Sequence, residues 1–169
     1  METREAIRTR RSVRTFTPDP IPQATVRALL EAAMQAPSAG NQQPWQFVVI
    51  DERPLLDAIP AFAPYAPMCR TAPLAILVCG DLREVRHPGF WVQDCSAATQ
   101  NLLLAAHDLG LGATWTGVHP RESLAAGFRR LLGLPDEVWP LALVVLGRPA
   151  ERVEPVARFR ADRIQTNAW

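Results

Sequence analysis

The sequence predicts an α+β fold in which a central mixed sheet is flanked by helices. Short, continuously apolar runs at residues 47–50 and 74–79 are typical of strands that are buried on both faces. Stretches with apolar residues spaced by three and four alternate with these runs, which indicates amphipathic helices. With 169 residues, 48% of them hydrophobic, the chain is long enough to bury a sizeable core as one domain over residues 1–169.

The first half of the chain predicts two helices and then a strand. Residues 2–9 have a helical pattern, and a second helix opens at Ile21 and Pro22 and continues through Met34. Proline is favoured in the first turn of a helix, and Pro37 ends this one. The apolar run at 47–50 then predicts the first strand.

Residues 60–67 lie between the two apolar runs and contain prolines at 60, 64 and 67. Since proline removes a backbone donor and fixes φ, this density predicts irregular structure and a candidate lid. The conformation of residues 60–70 and 83–91 is otherwise left open by the sequence.

The second half predicts a long core-facing helix over residues 90–109, stopped by Gly110 and Gly112. Small residues along it would allow another helix to approach closely. A strand at 112–118, a helix at 122–132 and a strand at 141–146 follow. The tail at 148–169 is charged and extended, and we expect it to cross to a partner subunit.

Charge and composition narrow the class of function. A formal net charge of +1 argues against nucleic acid or an anionic membrane as partner. The sequence contains no lysine, which excludes Schiff-base chemistry on a lysine. Three cysteines without a CxxC pair, and no signal peptide or membrane span, favour the cytoplasm. The three histidines lack ligand spacing, so no metal site is expected.

The first motif lies near the N-terminus. Arg10, Arg11, Ser12 and Arg14 bring three guanidiniums and a hydroxyl into five residues, which suits a tightly held phosphate. Taken alone, such a stretch also fits a solvated face, or charges that complement the C-terminal end of a helix.

The second motif follows the second helix and leads into the first strand. It is a polar loop with Ser38, Asn41, Gln42 and Gln43 around Gly40. These side chains offer more hydrogen-bonding groups than a simple connection needs, and amides can donate and accept toward a heterocycle. Together the two motifs indicate a nucleotide-cofactor site.

The two motifs, in this order and at this separation, resemble the nitroreductase family, whose members are homodimeric flavoenzymes that bind FMN at the dimer interface. The resemblance implies a nitroreductase-like FMN-binding fold, with the long helix in the dimer interface and a domain-swapped tail. It covers nearly the whole chain.

The resemblance also implies roles for the first motif. Arg10, Arg11 and Ser12 match residues that hold the FMN phosphate or ribityl chain. Arg14 matches a basic residue near the flavin N1 and C2 carbonyl. A guanidinium there would stabilise the negative charge that reduced flavin gathers and would raise the reduction potential.

Further positions follow from the same resemblance. Thr116 and Gly117 match a strand end whose backbone N–H contacts flavin N5, and Arg158 and Arg160 match basic residues that close over the phosphate. A loop reaching the flavin from the other subunit matches Pro37, Ser38, Ala39, Asn41 and Gln43.

The activity implied is that of an FMN-dependent oxidoreductase that transfers hydride from NAD(P)H to a small-molecule acceptor of nitroaromatic or quinone type. One shared pocket implies ping-pong kinetics, and no side chain need be an obligatory acid or base. Many relatives carry Asn and Lys where this chain has Pro64 and Pro67, which leaves the choice between NADH and NADPH open.

Two alternatives remain at this point. The same fold could serve reductive dehalogenation or dehydrogenation of a specialised metabolite. The chain could also be a flavin-binding redox sensor without turnover. The physiological substrate is not fixed by the sequence.

Overall fold

Four strands form one sheet in the order β1-β2-β4-β3, with β1 at Trp45–Ile50, β2 at Leu74–Asp81, β3 at Gly112–Gly117 and β4 at Val138–Gly147. The computed structural model describes the backbone of residues 1–169 and every side chain except that of Glu84. The central strands β2 and β4 are almost entirely buried because helices cover both faces of the sheet.

All three strand pairs are antiparallel, so the expected mixed sheet is wrong. Within the described backbone, the bridge of Ser12 with Ala113 is parallel, but it lies outside the named strands. The run in β2 is buried on both faces as predicted, whereas Phe47, Val48 and Val49 of the edge strand β1 are only partly buried. Burial on two faces carries no information on strand direction, which explains the error.

Five α-helices surround the sheet: α1 at Thr3–Thr9, α2 at Gln23–Met34, α3 at Arg53–Ala58, α4 at Trp91–Asp108 and α5 at Glu122–Leu132. Helices α2 and α4 pack on one face, and α3 and α5 pack on the other. The α+β class and most element positions therefore agree with the sequence.

Alternation along the central strands builds these two layers. Ile76 and Val144 point toward α2 and α4, whereas Leu77 and Leu143 point toward α3 and α5. All four side chains have no exposed surface. Successive residues of a strand face opposite sides, so each strand contributes to both cores.

The main differences from the predicted elements concern prolines. Helix α3 was not predicted, although Pro54 sits in its first turn, where proline is tolerated. Strand β4 starts at Val138, three residues before the predicted start at 141, and includes Pro140. The pairing register of β2 shifts between Val78 and Cys79, opposite Pro140, and such an irregularity accommodates proline within a strand.

Residues 60–67 pack against the core through two alanines, whereas Pro64, Tyr65 and Pro67 are exposed, and a lid role for the segment stays a prediction. Ala63 is 2% exposed and Ala66 is fully buried. Short 3₁₀ turns at Ile59–Ala61 and Pro67–Arg70 flank them. Pro60 and Pro67 lie in these turns. Residues 62–66 between them form neither helix nor strand, which agrees with the irregular structure that the proline density predicted.

The tail after β4 is extended, with one 3₁₀ turn at Ala161–Arg163. Every residue from 151 onward is exposed, including the large apolar side chains of Phe159, Ile164 and Trp169. Among the described residues, none of the helices combines the length and apolar character needed to cross a membrane.

Candidate active site

The first motif belongs to a segment, residues 10–17, that crosses the ends of β3 and β4. The Val13 N–H donates to the Ala113 carbonyl at 3.0 Å. A Cβ at Gly112 would lie 2.8 Å from the Val13 side chain, so a glycine permits this close approach. The Val13 contact fixes the backbone before Arg14 beside β3. After Arg14, the Thr17 N–H donates to the Arg148 carbonyl at 2.9 Å, just beyond the end of β4.

A cavity of about 210 Å³ opens at the C-terminal end of β3. Arg14, Thr116 and Gly117 line it together, so three of the positions predicted to contact the flavin share one surface. Among the described side chains, none forms a hydrogen bond or ion pair with the Arg14 guanidinium. The full lining consists of Arg14, Tyr65, Thr114, Trp115, Thr116, Gly117 and Arg121.

Arg10 lies in a cluster of positive charge. Partial burial lowers the pKa of Arg10, and the positive charges of Arg158 and then Arg11 lower it further. No carboxylate among the described side chains forms an ion pair with Arg10 or Arg158. Guanidiniums that crowd together without a counter-charge suit an anionic ligand such as a phosphate.

Arg11 contacts the tail through its guanidinium. It donates to the carbonyls of Arg10 at 2.7 Å, Val156 at 3.0 Å and Glu154 at 3.2 Å. A guanidinium has five N–H donors, so two remain for a ligand. In the structure, Arg11 therefore holds the tail against the N-terminal segment.

Arg160 and Ser12 are placed differently from the cluster around Arg10. The Arg160 guanidinium donates to both oxygens of Asp162, at 2.8 and 2.5 Å, and this bidentate pair is exposed. Ser12 is half-buried through its bridge to Ala113. Arg158 is exposed and lies near the like-charged Arg10. The two tail arginines therefore have different neighbours, since Arg160 pairs with a carboxylate.

The second motif is a tight loop with unusual backbone conformations. Gly40, Asn41 and Gln43 have φ of 53°, 54° and 48°. The Gln43 N–H donates to Ser38 Oγ at 3.0 Å, and Gln43 Nε2 donates to Asn41 Oδ1 at 2.8 Å. Positive φ is uncommon outside glycine, and these local hydrogen bonds hold the loop in this shape. Pro37, Asn41 and Gln43 are exposed.

This loop is anchored to the first turn of α4. The buried Asp94 carboxylate accepts from the Ala39 N–H at 2.9 Å and from Gln42 Nε2 at 2.6 Å. Gln42 Oε1 in turn accepts from the N–H groups of Arg86 at 3.1 Å and His87 at 3.0 Å. Three separate segments therefore meet at one buried amide.

Within one chain, the loop at residues 37–43 and the cavity at Arg14 are separate surfaces. None of the loop residues lines that cavity. The structure brings Arg14, Thr116 and Gly117 together, and it brings Arg10 and Arg158 together, but it does not bring the loop to either set.

The family model described as the nitroreductase family matches residues 7–148 of this chain. The chain belongs to the nitroreductase family. The match includes both motifs, the cavity at the end of β3 and all nine α-helices and strands except the first residues of α1.

Individual relatives agree with this assignment to the nitroreductase family. A Methanothermobacter thermautotrophicus protein provisionally named NADH dehydrogenase/NAD(P)H nitroreductase is 47% identical over 169 residues, covering 100% of this chain and 88% of the relative. A solved structure from Parabacteroides distasonis with the same provisional name has a TM-score of 0.95 and 38% identity, covering 99% of this chain and 98% of that one.

A third relative is a solved nitroreductase from Desulfovibrio desulfuricans, itself provisionally named, in complex with FMN. It has a TM-score of 0.85 and 33% identity, and it covers 100% of this chain and 99% of its own. The likeness therefore extends over the full length of the fold, including the tail.

In this nitroreductase, sequence reasoning missed Asp94 and Arg121 and gave Gln42 no specific role. Asp94 is an acidic residue in the first turn of an otherwise apolar helix face, which was a signal that could have been followed. Arg121 precedes α5 directly, and nothing in the sequence alone places it beside Arg14.

Proposed function

We propose that the protein is an FMN-dependent oxidoreductase that transfers hydride from NAD(P)H to a nitroaromatic or quinone acceptor. The observation that carries the proposal is the shared cavity of Arg14, Thr116 and Gly117 at the end of β3. The FMN complex of the Desulfovibrio desulfuricans relative and the nicotinamide in the Methanothermobacter relative's name support it.

The residues present fit a phosphorylated cofactor. Arg10 and Arg158 are close enough for like charge to lower the pKa of Arg10, and neither has an ion-pair partner among the described side chains. A phosphate would supply the missing negative charge. Arg11 and Ser12 follow Arg10 directly in the chain. The Arg160 guanidinium pairs instead with Asp162.

FMN, when bound, supplies the two-electron chemistry itself. The chain's residues bind and orient it. Arg14 holds a positive charge in the cavity, where it stabilises negative charge that develops on reduction. The backbone at Thr116 and Gly117 offers polar groups in the same cavity as Arg14. Overall, NAD(P)H, a proton and a quinone give NAD(P)⁺ and a hydroquinone.

We also propose that the active unit is a homodimer. The loop at residues 37–43 is tightly built yet does not reach the cavity of its own chain, so it completes the site of a partner copy. The tail carries three large apolar side chains that are 60% or more exposed, those of Phe159, Ile164 and Trp169. The partner copy would cover them. Three buried free cysteines fit a reducing cytoplasm.

Steady-state oxidation of NADH and NADPH with a soluble quinone tests the activity. We expect turnover with parallel lines in double-reciprocal plots, because the two substrates use one cavity in turn. A protein that binds flavin but shows no turnover with quinones or nitroaromatics would be a sensor. Light scattering during size exclusion tests the dimer, and a stable flavin-loaded monomer would contradict it.

A further inference from the structure

Two residues of the cavity at Arg14 belong to none of the segments assigned to the flavin. They are Tyr65 and Arg121, and both line the same cavity of about 210 Å³. The Arg121 guanidinium lies over the Tyr65 ring, 5.4 Å from its centroid. This distance is within the range of a cation–π interaction.

Tyr65 is held at the tip of a rigid turn. The Ala66 N–H donates to the Ala63 carbonyl at 2.9 Å, which closes a turn with Pro64 and Tyr65 at its two central positions. Both flanking alanines are buried, whereas Tyr65 is 68% exposed. The backbone therefore fixes an exposed aromatic ring at the mouth of the cavity.

Arg121 is fixed at the other side. Its N–H donates to the Val118 carbonyl at 2.9 Å, and its carbonyl accepts from the N–H groups of Leu124 and Ala125 at 3.1 Å as α5 begins. The N-terminal end of a helix carries partial positive charge, so a cation at this position adds to a field that attracts anions. Among the described side chains, no carboxylate forms an ion pair with Arg121 or lines the cavity.

We propose that Arg121 and Tyr65 form a subsite for an aromatic electron acceptor that carries a carboxylate, which rests on the proposed function of this cavity. Arg121 contacts the carboxylate through its guanidinium, which matches carboxylate geometry. The exposed ring of Tyr65 provides a flat surface for an aromatic body and positions the guanidinium. The positive charge of Arg121 then makes the protein prefer acceptors that carry a carboxylate over neutral ones.

The first test compares two acceptors that differ in charge, 4-nitrobenzoate and neutral 4-nitrobenzamide. In Arg121→Gln we expect KM for 4-nitrobenzoate to rise about 10-fold or more, the size expected for losing a charged hydrogen bond. We expect KM for 4-nitrobenzamide to rise far less than KM for 4-nitrobenzoate, because the amide has no carboxylate for Arg121 to bind. Arg130→Gln, which replaces an exposed arginine near the C-terminal end of α5, is the matched control.

The second test needs no turnover. Isothermal titration of the purified holoprotein with benzoate should give a Kd that weakens about 10-fold in Arg121→Gln and is unchanged in Arg130→Gln. Tyr65→Phe keeps the ring and should retain benzoate affinity, whereas Tyr65→Leu should weaken it. This rescue separates a positioning role from general damage to the fold.

The outcomes separate this inference from the proposed function. Turnover of both nitro compounds with equal KM and no effect of Arg121→Gln would overturn the subsite alone. A rise in KM for NADPH only would assign Arg121 to the nucleotide phosphate and would also overturn it. Absence of all turnover would contradict the proposed function, while the benzoate titration would still decide the subsite.

Discussion

Gln42 donates through Nε2 to the buried carboxylate of Asp94 at 2.6 Å, although the two residues are 52 positions apart. Gln42 Oε1 accepts from the N–H groups of Arg86 and His87. A carboxylate only accepts and a backbone N–H only donates, so these partners fix the orientation of the amide. These hydrogen bonds connect the second motif to α4 and to residues 86 and 87, which precede α4.

Asp94→Asn should loosen this loop. The new amide would present a donor where Gln42 Nε2 or the Ala39 N–H needs an acceptor, which leaves a buried donor unsatisfied. We expect the free energy of unfolding to fall by about 1–3 kcal/mol. Urea denaturation checks this, with the exposed Asp136→Asn as control. Equal stability of the two variants would mean that the loop is held by other contacts.

Arg14→Gln should separate cofactor binding from flavin electronics. The Arg14 guanidinium lies in the cavity without a partner among the described residues, so its charge matters chiefly once negative charge develops. We expect the midpoint potential of bound FMN to fall by about 30 mV or more, which for two electrons corresponds to about 1.4 kcal/mol. Affinity for oxidised FMN should change little.

Redox titration against a reference dye, run beside a fluorescence measurement of FMN affinity, checks the Arg14 prediction. Arg130→Gln removes a charge elsewhere and should leave both quantities unchanged. Loss of affinity at constant potential would make Arg14 a phosphate ligand instead.

Arg158→Ala should weaken FMN binding by about 1–3 kcal/mol, the range for losing a hydrogen bond to a charged group. The reason is its position beside Arg10, where its charge lowers the pKa of that residue. Arg163→Ala, an exposed tail residue, is the control. An unchanged Kd for FMN in Arg158→Ala would show that this arginine is only a solvated surface charge.

His107 should make stability depend on pH. Partial burial and then the charge of Arg10 lower its pKa from the ordinary 6.5, while Thr9 Oγ1 lies 2.8 Å from Nε2. Because the folded state favours the neutral ring, this stabilisation is present above the ordinary pKa and is lost as pH falls below it. Unfolding free energies measured between about pH 5 and pH 8 check this, and His107→Gln should flatten the dependence.

Much of the fold follows from local pattern, whereas long-range pairing does not. The periodicity of α4 and the apolar run of β2 locate these elements within two residues. Strand direction depends on how distant segments meet, and two-face burial does not encode it. Pro54 and Pro140 are tolerated because one begins a helix and the other faces a register shift.

The candidate site was likewise only partly predictable from the sequence. Resemblance of motifs placed Arg14 with Thr116, and the structure brings these residues to one cavity. The contact of Asp94 with Gln42 could not be read from the sequence, since it joins a helix to a loop far along the chain. By contrast, the pair of Arg160 and Asp162 is local and could have been anticipated from their spacing.

The identity of the bound cofactor decides whether the protein is FMN-dependent. The purified protein should be yellow with a flavin spectrum, and heat should release FMN at one molecule per subunit, because the cluster of Arg10 and Arg158 suits a phosphate that riboflavin lacks. Chromatography of the released compound distinguishes FMN from FAD and riboflavin. Release of FAD, or failure to bind any flavin after reconstitution with FMN, would contradict FMN dependence.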